Sequence, residues 1–330
     1  MNSDKNPQMK AMVYTKYGPP EVLQLKEVDK PTPKEDEALV KVHATSVNFS
    51  EGGFVRGKPI LARLWSGLFK PKNTILGTDI AGQVEAVGVN VKQFQPGDDV
   101  YGEIYEGGMG GFAEYVSVNE NILALKPANI TYEEAAAVPQ AAVVALQGLR
   151  DTGQIQPGQK VLINGASGGI GTFAVQIAKS FGAEVTGVCS TRNLDMARSI
   201  GADHVIDYTQ EDFTQNELRY DLILDIVANR SISEYMRALS PKGNYVAVAF
   251  NPVTIFLGSL ISMTGSKKVG SLRGKSNVKD LIFIKELIEA GKVVPVIAKC
   301  YPLSETPEAI RNYEEGAQGK IVITMEHNSK

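Results

Sequence analysis

A run of glycines is the feature whose residue types and spacing point most directly to chemistry. The run is Gly165-Ala166-Ser167-Gly168-Gly169-Ile170-Gly171, and it follows the apolar segment 161–164 directly. Glycine permits a tight turn and lets a phosphate approach the backbone, while unpaired amides and the dipole at a helix start favour negative charge. The run departs from the strict Gly-x-Gly-x-x-Gly spacing, so its context must support the interpretation. It predicts a site for the pyrophosphate of a dinucleotide.

A second group of residues bears on which dinucleotide is bound. An NAD site usually places Asp or Glu about 20 residues after the glycine loop, where the carboxylate binds the ribose hydroxyls. This chain has Ser190, Thr191 and Arg192 at that point. A serine hydroxyl and a guanidinium can both bind a 2'-phosphate, which a carboxylate would repel, so these residues predict NADP(H). The alternative is that Ser190 and Thr191 cap the next helix and Arg192 is solvated.

The elements that must position these residues alternate between strand and helix. The pattern predicts an α/β fold with a doubly wound parallel sheet, which binds ligands at the carboxyl ends of its strands. The predicted strands are 161–164, 183–189, 204–207, 220–228 and 244–249, the predicted helices follow the glycine run and cover 193–200 and 231–239, and a turn is predicted at 241–243.

The first 130 residues have a different pattern. Short alternating segments at 38–44, 83–87 and 113–118 are separated by Gly and Pro turns, which predicts a largely antiparallel β domain. The glycine-rich segment 107–111 leads into a strand, not a helix, so it is interpreted as a hairpin and not as a phosphate site.

Composition and charge exclude several classes of function. The chain has 330 residues, of which 43% are hydrophobic and 22% charged, and its net charge is -3. These values are ordinary for a globular protein of about two domains and give no electrostatic signature of nucleic acid or anionic membrane binding. The two cysteines, Cys189 and Cys300, indicate neither a disulfide framework nor a zinc cluster. We expect a cytoplasmic protein, with no membrane partner.

Ordered motifs give the chain a resemblance to a known family. Segment 76–88, segment 95–100, the glycine run and the ending Gly319-Lys320-Ile321-Val322-Ile323 resemble the medium-chain dehydrogenase/reductases, and most of all their zinc-independent quinone oxidoreductase (zeta-crystallin-like) branch. The resemblance implies a GroES-like β domain formed by residues 1–131 and 277–330, around a Rossmann domain at 132–276, with the active site in the cleft between them. It also implies NADPH as cofactor and a dimer or tetramer. Tyr208 matches a tyrosine that often joins the 2'-phosphate pocket, and Val248, Ala249 and Phe250 complete the predicted cofactor contacts.

Residue types at the positions of the zinc ligands argue against a metal. Zinc-dependent relatives have Cys where this chain has Asn48, and Gly-His-Glu where it has Gly77-Thr78-Asp79. Asparagine and threonine are poor zinc ligands, so no metal is predicted. Without a Lewis acid, alcohol oxidation is disfavoured, and hydride transfer to an electron-poor quinone or conjugated carbonyl compound is predicted.

The predicted catalytic residues are Asn48 and Arg56. The resemblance places the Asn48 amide near the nicotinamide and the substrate carbonyl, where it could stabilise the developing oxyanion, although asparagine in a turn also has structural uses. Arg56 is expected to contribute positive potential, not a proton. Gly52 and Gly53 are interpreted as an open, flexible stretch. Leu61, Leu64, Trp65 and Leu68 lie at helical spacing, and either line the substrate site or pack in the core.

Two further expectations concern role and assembly. A short-chain dehydrogenase is disfavoured because no tyrosine is followed by lysine at Tyr-x-x-x-Lys spacing, and an NADPH-binding protein with a sensor or structural role remains the alternative function. Segment 253–263 is too apolar for a freely exposed loop and too short for a membrane span, which predicts a homodimer that partly buries it.

Overall fold

The computed structural model describes residues 6–60, 63–249, 258, 266–272 and 274–327, with the side chain of Trp65 excluded. The predicted residues Phe250 and Leu61, and all of segment 253–263 except Gly258, lie outside the described residues. The homodimer predicted from that segment therefore stays a prediction. Within the described residues, no helix is long and apolar enough to cross a bilayer.

Strands and helices alternate in the second half of the chain, as predicted. The strands are β1 (Gln8–Val13), β2 (Gln24–Asp29), β3 (Glu37–Val47), β4 (Asp79–Val87), β5 (Asp99–Glu103), β6 (Tyr115–Asn119), β7 (Ala124–Leu125), β8 (Lys160–Asn164), β9 (Glu184–Cys189), β10 (His204–Asp207), β11 (Tyr220–Asp225), β12 (Leu239–Ala247), β13 (Lys268–Ser271), β14 (Ile297–Pro302) and β15 (Lys320–Thr324). The α-helices are α1 (Phe49–Arg56), α2 (Arg63–Ser66), α3 (Tyr132–Ala136), α4 (Pro139–Leu146), α5 (Gly169–Ser180), α6 (Leu194–Ser199), α7 (Ile232–Ala238), α8 (Val278–Glu289) and α9 (Thr306–Glu314), and a π-helix covers Gln147–Thr152.

The chain divides into two compact units. The first contains residues 1–140, 276–285 and 297–330, and the second contains 141–275 and 286–296. The domain limits predicted at 131/132 and 276/277 stay a prediction.

The second unit is built on a parallel sheet. Its strand order is β10-β9-β8-β11-β12-β13, and each neighbouring pair is parallel. Strand β8 is buried at four of its five positions, as expected for a strand covered on both faces. Phe173, Ala174, Ile177 and Ala178 of α5 are fully buried. The predicted α/β fold with a doubly wound sheet is confirmed.

The first unit is built on β-sheets. Its larger sheet has the order β14-β15-β3-β4-β5-β7, with β6 also paired to β3, and β1 pairs with β2. The pairings are antiparallel except for β14 with β15, which are parallel. Val40, Val42, Val47, Leu76 and Ile80 are among the fully buried residues of its core.

Two predicted turns differ in the structure. Pro241-Lys242-Gly243 lies inside β12 and does not end the strand. Tyr220 pairs with Leu239 and Leu222 pairs with Asn244, so these residues form a bulge in β12. The glycine-rich segment 107–111 is not a hairpin, because β5 pairs with β4 and β7 whereas β6 pairs with β3. Its backbone instead approaches Gly77 closely, and the Gly111 amide donates to Gly77 O at 3.0 Å.

Gly52 and Gly53 also differ from expectation, because both lie within helix α1 and do not form an open loop. Asn48 is the N-cap residue of α1, and its backbone amide donates to the Glu51 carboxylate at 2.9 Å in a capping box. A Cβ on Gly52 would lie 2.9 Å from Glu314 Oε1, so this glycine makes room for a side chain of α9. Leu64 and Leu68 are exposed and do not belong to the core.

Candidate functional site

The glycine run forms the turn between β8 and α5. Gly165 has φ = +94°, which favours glycine, and its amide donates to Val188 O at 3.1 Å. A Cβ on Gly171 would lie 2.0 Å from Gly165 O, so the first turn of α5 fits against the loop only with glycine at this position. Gly168 is different, since a Cβ there would meet its nearest atom at 3.7 Å. The backbone thus requires glycine at two positions of the run, Gly165 and Gly171, whereas Gly168 has room for a Cβ.

The start of α5 has the features of an anion site. Gly168 is the N-cap residue and has no side chain to accept from the helix amides. The first amides of an α-helix lack an intrahelical acceptor, and the helix dipole places partial positive charge there. Helix α5 covers twelve residues, which is long enough for this effect. Ser167, Gly169 and Ile170 lie at the same turn, so the loop fits a dinucleotide pyrophosphate.

An asparagine that the sequence analysis missed joins the glycine run to the end of β9. Asn193 is 4% exposed, and its Nδ2 lies 2.9 Å from Ser167 Oγ and 3.2 Å from Ser190 Oγ. Its Oδ1 is buried and has no hydrogen-bond partner in the described residues. A buried polar atom without a partner costs free energy unless a ligand or water satisfies it, so this oxygen is a candidate contact for a bound dinucleotide. The sequence could have indicated Asn193 as a cofactor residue, because it directly follows Ser190-Thr191-Arg192.

The other predicted cofactor residues lie at the same edge of the sheet. Arg192 is exposed, and Tyr208 is exposed and donates its amide to Cys189 O at 3.1 Å. Val248 follows β12 and donates its amide to Asp225 O at 2.8 Å, and Ala249 is the next residue. The structure therefore brings together, at the carboxyl ends of parallel strands, every predicted cofactor residue of the second unit that it describes. That these residues bind the cofactor stays a prediction.

A buried network of hydrogen bonds stabilises the carboxyl ends of β8 and β11. Asn164 is the last residue of β8, and its Nδ2 lies 2.9 Å from Asp225 Oδ1 and 3.0 Å from the Tyr235 hydroxyl. Asp225 ends β11, is fully buried, and accepts from the Tyr245 hydroxyl at 2.7 Å. Burial and the neighbouring Asp225 carboxylate raise the pKa of Tyr235 far above its usual range. Tyr235 therefore stays neutral, and the network fixes the ends of β8 and β11.

The predicted catalytic residue Asn48 belongs to the first unit, where it is 5% exposed. Its Nδ2 donates to Asp79 Oδ2 at 2.9 Å and to Thr78 Oγ1 at 3.0 Å. Its Oδ1 accepts from the ammonium of Lys320 in a short contact. Both amide hydrogens of Asn48 are therefore already donated within the first unit. A substrate oxygen would have to replace one of these acceptors.

Asp79 is the centre of this cluster and is fully buried. Besides Asn48, its carboxylate accepts from Ser46 Oγ at 3.0 Å and from the Gln140 amide at 3.1 Å, and Lys320 Nζ lies 3.6 Å away. Burial raises the pKa of Asp79, while the ammonium of Lys320 acts in the opposite direction. Lys320 is a residue of the resemblance motif for which the sequence analysis assigned no role.

Glu51 and Glu103 add two more carboxylates. Glu51 is fully buried and accepts from the Thr78 hydroxyl at 2.7 Å and the Thr78 amide at 3.1 Å. Glu103 accepts from Gln140 Nε2 at 3.0 Å, and burial, followed by repulsion from Asp79, raises its pKa to about 7.

Arg56 forms an ion pair. Its Nε and Nη2 donate to the two carboxylate oxygens of Glu314 at 3.0 and 2.5 Å, and both side chains are about one third exposed. This bidentate pair reduces the positive potential that Arg56 can contribute. Its catalytic role stays a prediction.

The residues at the positions of the zinc ligands in zinc-dependent relatives form hydrogen bonds with one another. Asn48, Thr78 and Asp79 lie together as the resemblance implied, but an amide, a hydroxyl and a carboxylate that already accepts several hydrogen bonds do not suit Zn²⁺. Across the described ranges, no group of three or more His, Cys, Asp or Glu side chains is arranged to hold a metal ion.

Comparison with known proteins shows which family this chain belongs to. The family model described as "Alcohol dehydrogenase GroES-like domain" matches residues 34–128, and the one described as "Zinc-binding dehydrogenase" matches residues 200–323. A "2-methylene-furan-3-one reductase" of Solanum lycopersicum is 35% identical over 96% of this chain and 79% of its own length. The chain belongs to the medium-chain dehydrogenase/reductase superfamily, in its zinc-independent quinone oxidoreductase branch.

Other members of this family agree in sequence and in fold. The "NADPH-dependent alkenal/one oxidoreductase, chloroplastic" of Arabidopsis thaliana is 33% identical over 96% of this chain and 79% of its own. The structure of the quinone oxidoreductase from Coxiella burnetii has a TM-score of 0.87 at 27% identity, covering 97% of this chain and all of that one. The predicted resemblance and the predicted enzyme class, an oxidoreductase, are confirmed.

Proposed function

We propose that this protein transfers hydride from NADPH to a small hydrophobic quinone or α,β-unsaturated carbonyl compound, without a metal ion. The enzyme uses a nicotinamide cofactor, in line with the names of its relatives. The observation that carries the proposal is the turn from Gly165 to Gly171, which leaves the amides at the start of α5 open to a pyrophosphate. The bound cofactor supplies the hydride.

The reaction type follows from the residues of the first unit. Asn48, Thr78, Asp79 and Lys320 offer no Lewis acid that would stabilise the alkoxide of a simple alcohol. Quinones and conjugated carbonyl compounds delocalise the developing negative charge and need less stabilisation. An N–H of Asn48 can provide it if the substrate oxygen replaces Thr78 Oγ1 as the hydrogen-bond acceptor. Relatives named for alkenal/one and quinone reduction support this acceptor class.

An acceptor screen tests the proposed reaction. NADPH consumption is measured with a p-quinone, a conjugated enone and the matching saturated ketone, and NADPH formation is measured with a primary alcohol and NADP⁺. We expect turnover with the first two only, and no loss of it after chelator treatment, since the donor set does not suit zinc. Oxidation of the alcohol without reduction of quinone or enone would refute the proposal. Tight NADPH binding with no turnover on any acceptor would favour the alternative sensor or structural role.

The cofactor preference is a separate proposal. Ser190 and the exposed Arg192 stand where an NAD site places an acid, and Tyr208 lies beside them. We expect NADPH to bind at least tenfold more tightly than NADH, about 1.4 kcal/mol, by fluorescence titration. Arg192→Ala should reduce this ratio towards one. The control is Arg198→Ala, which removes an exposed arginine six residues later that pairs with Asp195 and should keep the ratio. An unchanged ratio in Arg192→Ala would contradict the assignment.

A nearby carboxylate opposes this preference. Asp207, at the end of β10, accepts from the Thr191 hydroxyl at 2.5 Å, and its hydrogen bonds to Thr191 and Thr209 lower its pKa and keep it ionised. Asp207→Asn should therefore raise the affinity for NADPH relative to NADH, because it removes a negative charge near the proposed 2'-phosphate pocket.

A further inference from the structure

A buried ammonium lies among the carboxylates of the first unit. Lys320, the first residue of β15, is only 2% exposed. Lysine is almost never fully buried unless it is paired, because removing its charge from water costs several kcal/mol. Burial lowers the pKa of Lys320, while the neighbouring carboxylates of Asp79, Glu51 and Glu103 act in the opposite direction and favour the ammonium form. Packing alone would be better served by an apolar side chain, so the buried ammonium of Lys320 needs another explanation.

The hydrogen bonds of Lys320 show what the ammonium does. Its Nζ lies 3.3 Å from Val47 O and 3.6 Å from Asp79 Oδ2, and makes a short contact with Asn48 Oδ1. The ammonium therefore donates hydrogen bonds to Val47 O and Asn48 Oδ1 and forms an ion pair with Asp79. The group can donate but cannot accept, so only the carbonyl end of the Asn48 amide can face it.

The rest of the cluster completes the orientation. With Oδ1 held by Lys320, the Nδ2 group of Asn48 must point to Asp79 and Thr78. The Thr78 hydroxyl donates its own hydrogen to Glu51, so it can only accept from Asn48. Without Lys320 the Asn48 carbonyl would lose its donor, and only the acceptors Asp79 and Thr78 would orient the amide; where position 79 is asparagine, which can also donate, the amide could turn end for end.

We propose that Lys320 is a positioning residue for the reductase reaction: its buried ammonium fixes the Asn48 amide so that the N–H end, and not the carbonyl, is offered to the substrate oxygen. This inference rests on the proposed function. Lys320 acts through Asn48 and does not itself touch the reacting atoms. Lys320 also balances the charge of Asp79, so the test must separate the orientation of Asn48 from this charge balance.

Paired substitutions make that separation. Lys320→Met alone leaves Asp79 buried without its cation and can unfold the first unit, whereas Lys320→Met with Asp79→Asn removes both charges. Asp79→Asn alone is the matched reference: it keeps the Lys320 side chain on Asn48, with Glu51 and Glu103 as the remaining carboxylates, and it must also melt cooperatively. We expect the double variant to melt cooperatively and to bind NADPH within twofold of the reference, while its kcat for an enone falls at least tenfold below that of the reference.

A second comparison asks whether Lys320 acts through Asn48. Adding Lys320→Met to an Asn48→Ala, Asp79→Asn background should lower kcat by less than twofold, since the side chain that the ammonium positions is already gone. An equal fall in both backgrounds, or a double variant with the kcat of the reference, would overturn the proposal.

A spectroscopic measurement keeps the inference testable if the chain reduces none of the acceptors. In protein labelled with ¹⁵N-asparagine, the Asn48 side-chain signal is identified by its loss in Asn48→Ala. We expect it to exchange slowly with water in Asp79→Asn, and to shift and exchange at least tenfold faster when Lys320→Met is added. Identical signals and exchange in the two proteins would refute the positioning role independently of activity.

Discussion

Replacement of Gly171 by alanine is expected to weaken NADPH binding by more than 100-fold, about 2.7 kcal/mol or more. The new Cβ would lie 2.0 Å from Gly165 O and 2.8 Å from backbone atoms of Ala166, distances that no folded protein tolerates. The loop must move away from α5, and the amides that face the proposed pyrophosphate move with it. Fluorescence titration measures the affinity, and thermal melting should show destabilisation of the second unit as well.

Gly168→Ala is the matched control within the same loop. Gly168 has φ = -80°, which alanine adopts freely, and its Cβ would meet no atom closer than 3.7 Å. Its stability should therefore stay within about 1 kcal/mol of the wild type. Loss of NADPH affinity in this stable variant would indicate that the phosphate approaches the backbone here. Wild-type affinity in Gly171→Ala would contradict the assigned role of the loop.

Replacement of Glu103 by glutamine is expected to stabilise the first unit at high pH. Burial, and then the Asp79 carboxylate, raise the pKa of Glu103 from 4.5 to about 7 in the folded protein. Between these two values the unfolded chain has lost the proton that the folded chain retains, so stability falls as pH rises through this window. The loss amounts to at most about 3 kcal/mol above pH 7, and glutamine, which is neutral throughout, avoids it.

Thermal melts from pH 4.5 to 8.5 provide the measurement. Glu103→Gln should melt several degrees above the wild type at pH 8 and close to it at pH 4.5, and Gln140 can keep its hydrogen bond to the new amide oxygen. Glu106→Gln, at an exposed position three residues later, should melt like the wild type at both pH values. The same pH dependence in Glu103→Gln and the wild type would show that Glu103 is ionised in the folded protein.

The fold could be predicted because its signals are local. Strand β10 was predicted with its observed limits, and the glycine run was placed correctly between β8 and α5, since hydrophobic periodicity and glycine content depend on neighbours along the chain. The errors arose where pairing partners decide the structure. Segment 107–111 was predicted as a hairpin because nothing local reveals that β6 pairs with β3.

The candidate sites were predictable to different degrees. The edge that carries Gly165, Ser190, Tyr208 and Val248 follows from the parallel topology, which brings the ends of strands together. Asn193 was missed because its buried, unpartnered oxygen depends on where its side chain points. Lys320 was quoted as part of a motif, but its burial against Asn48 joins residues 272 positions apart.

The sequence by itself determined the class of this protein: a parallel α/β unit with a dinucleotide turn, a β unit, and residue types at Asn48 and Thr78 that do not suit zinc. Those properties depend on residue type and spacing, which can be read directly from the sequence. The tertiary structure decided that both hydrogens of the Asn48 amide are already donated, that Arg56 is paired with Glu314, and that a lysine provides the cation beside Asp79. These contacts join residues from distant parts of the chain, and their energies depend on burial, which only the packed fold creates.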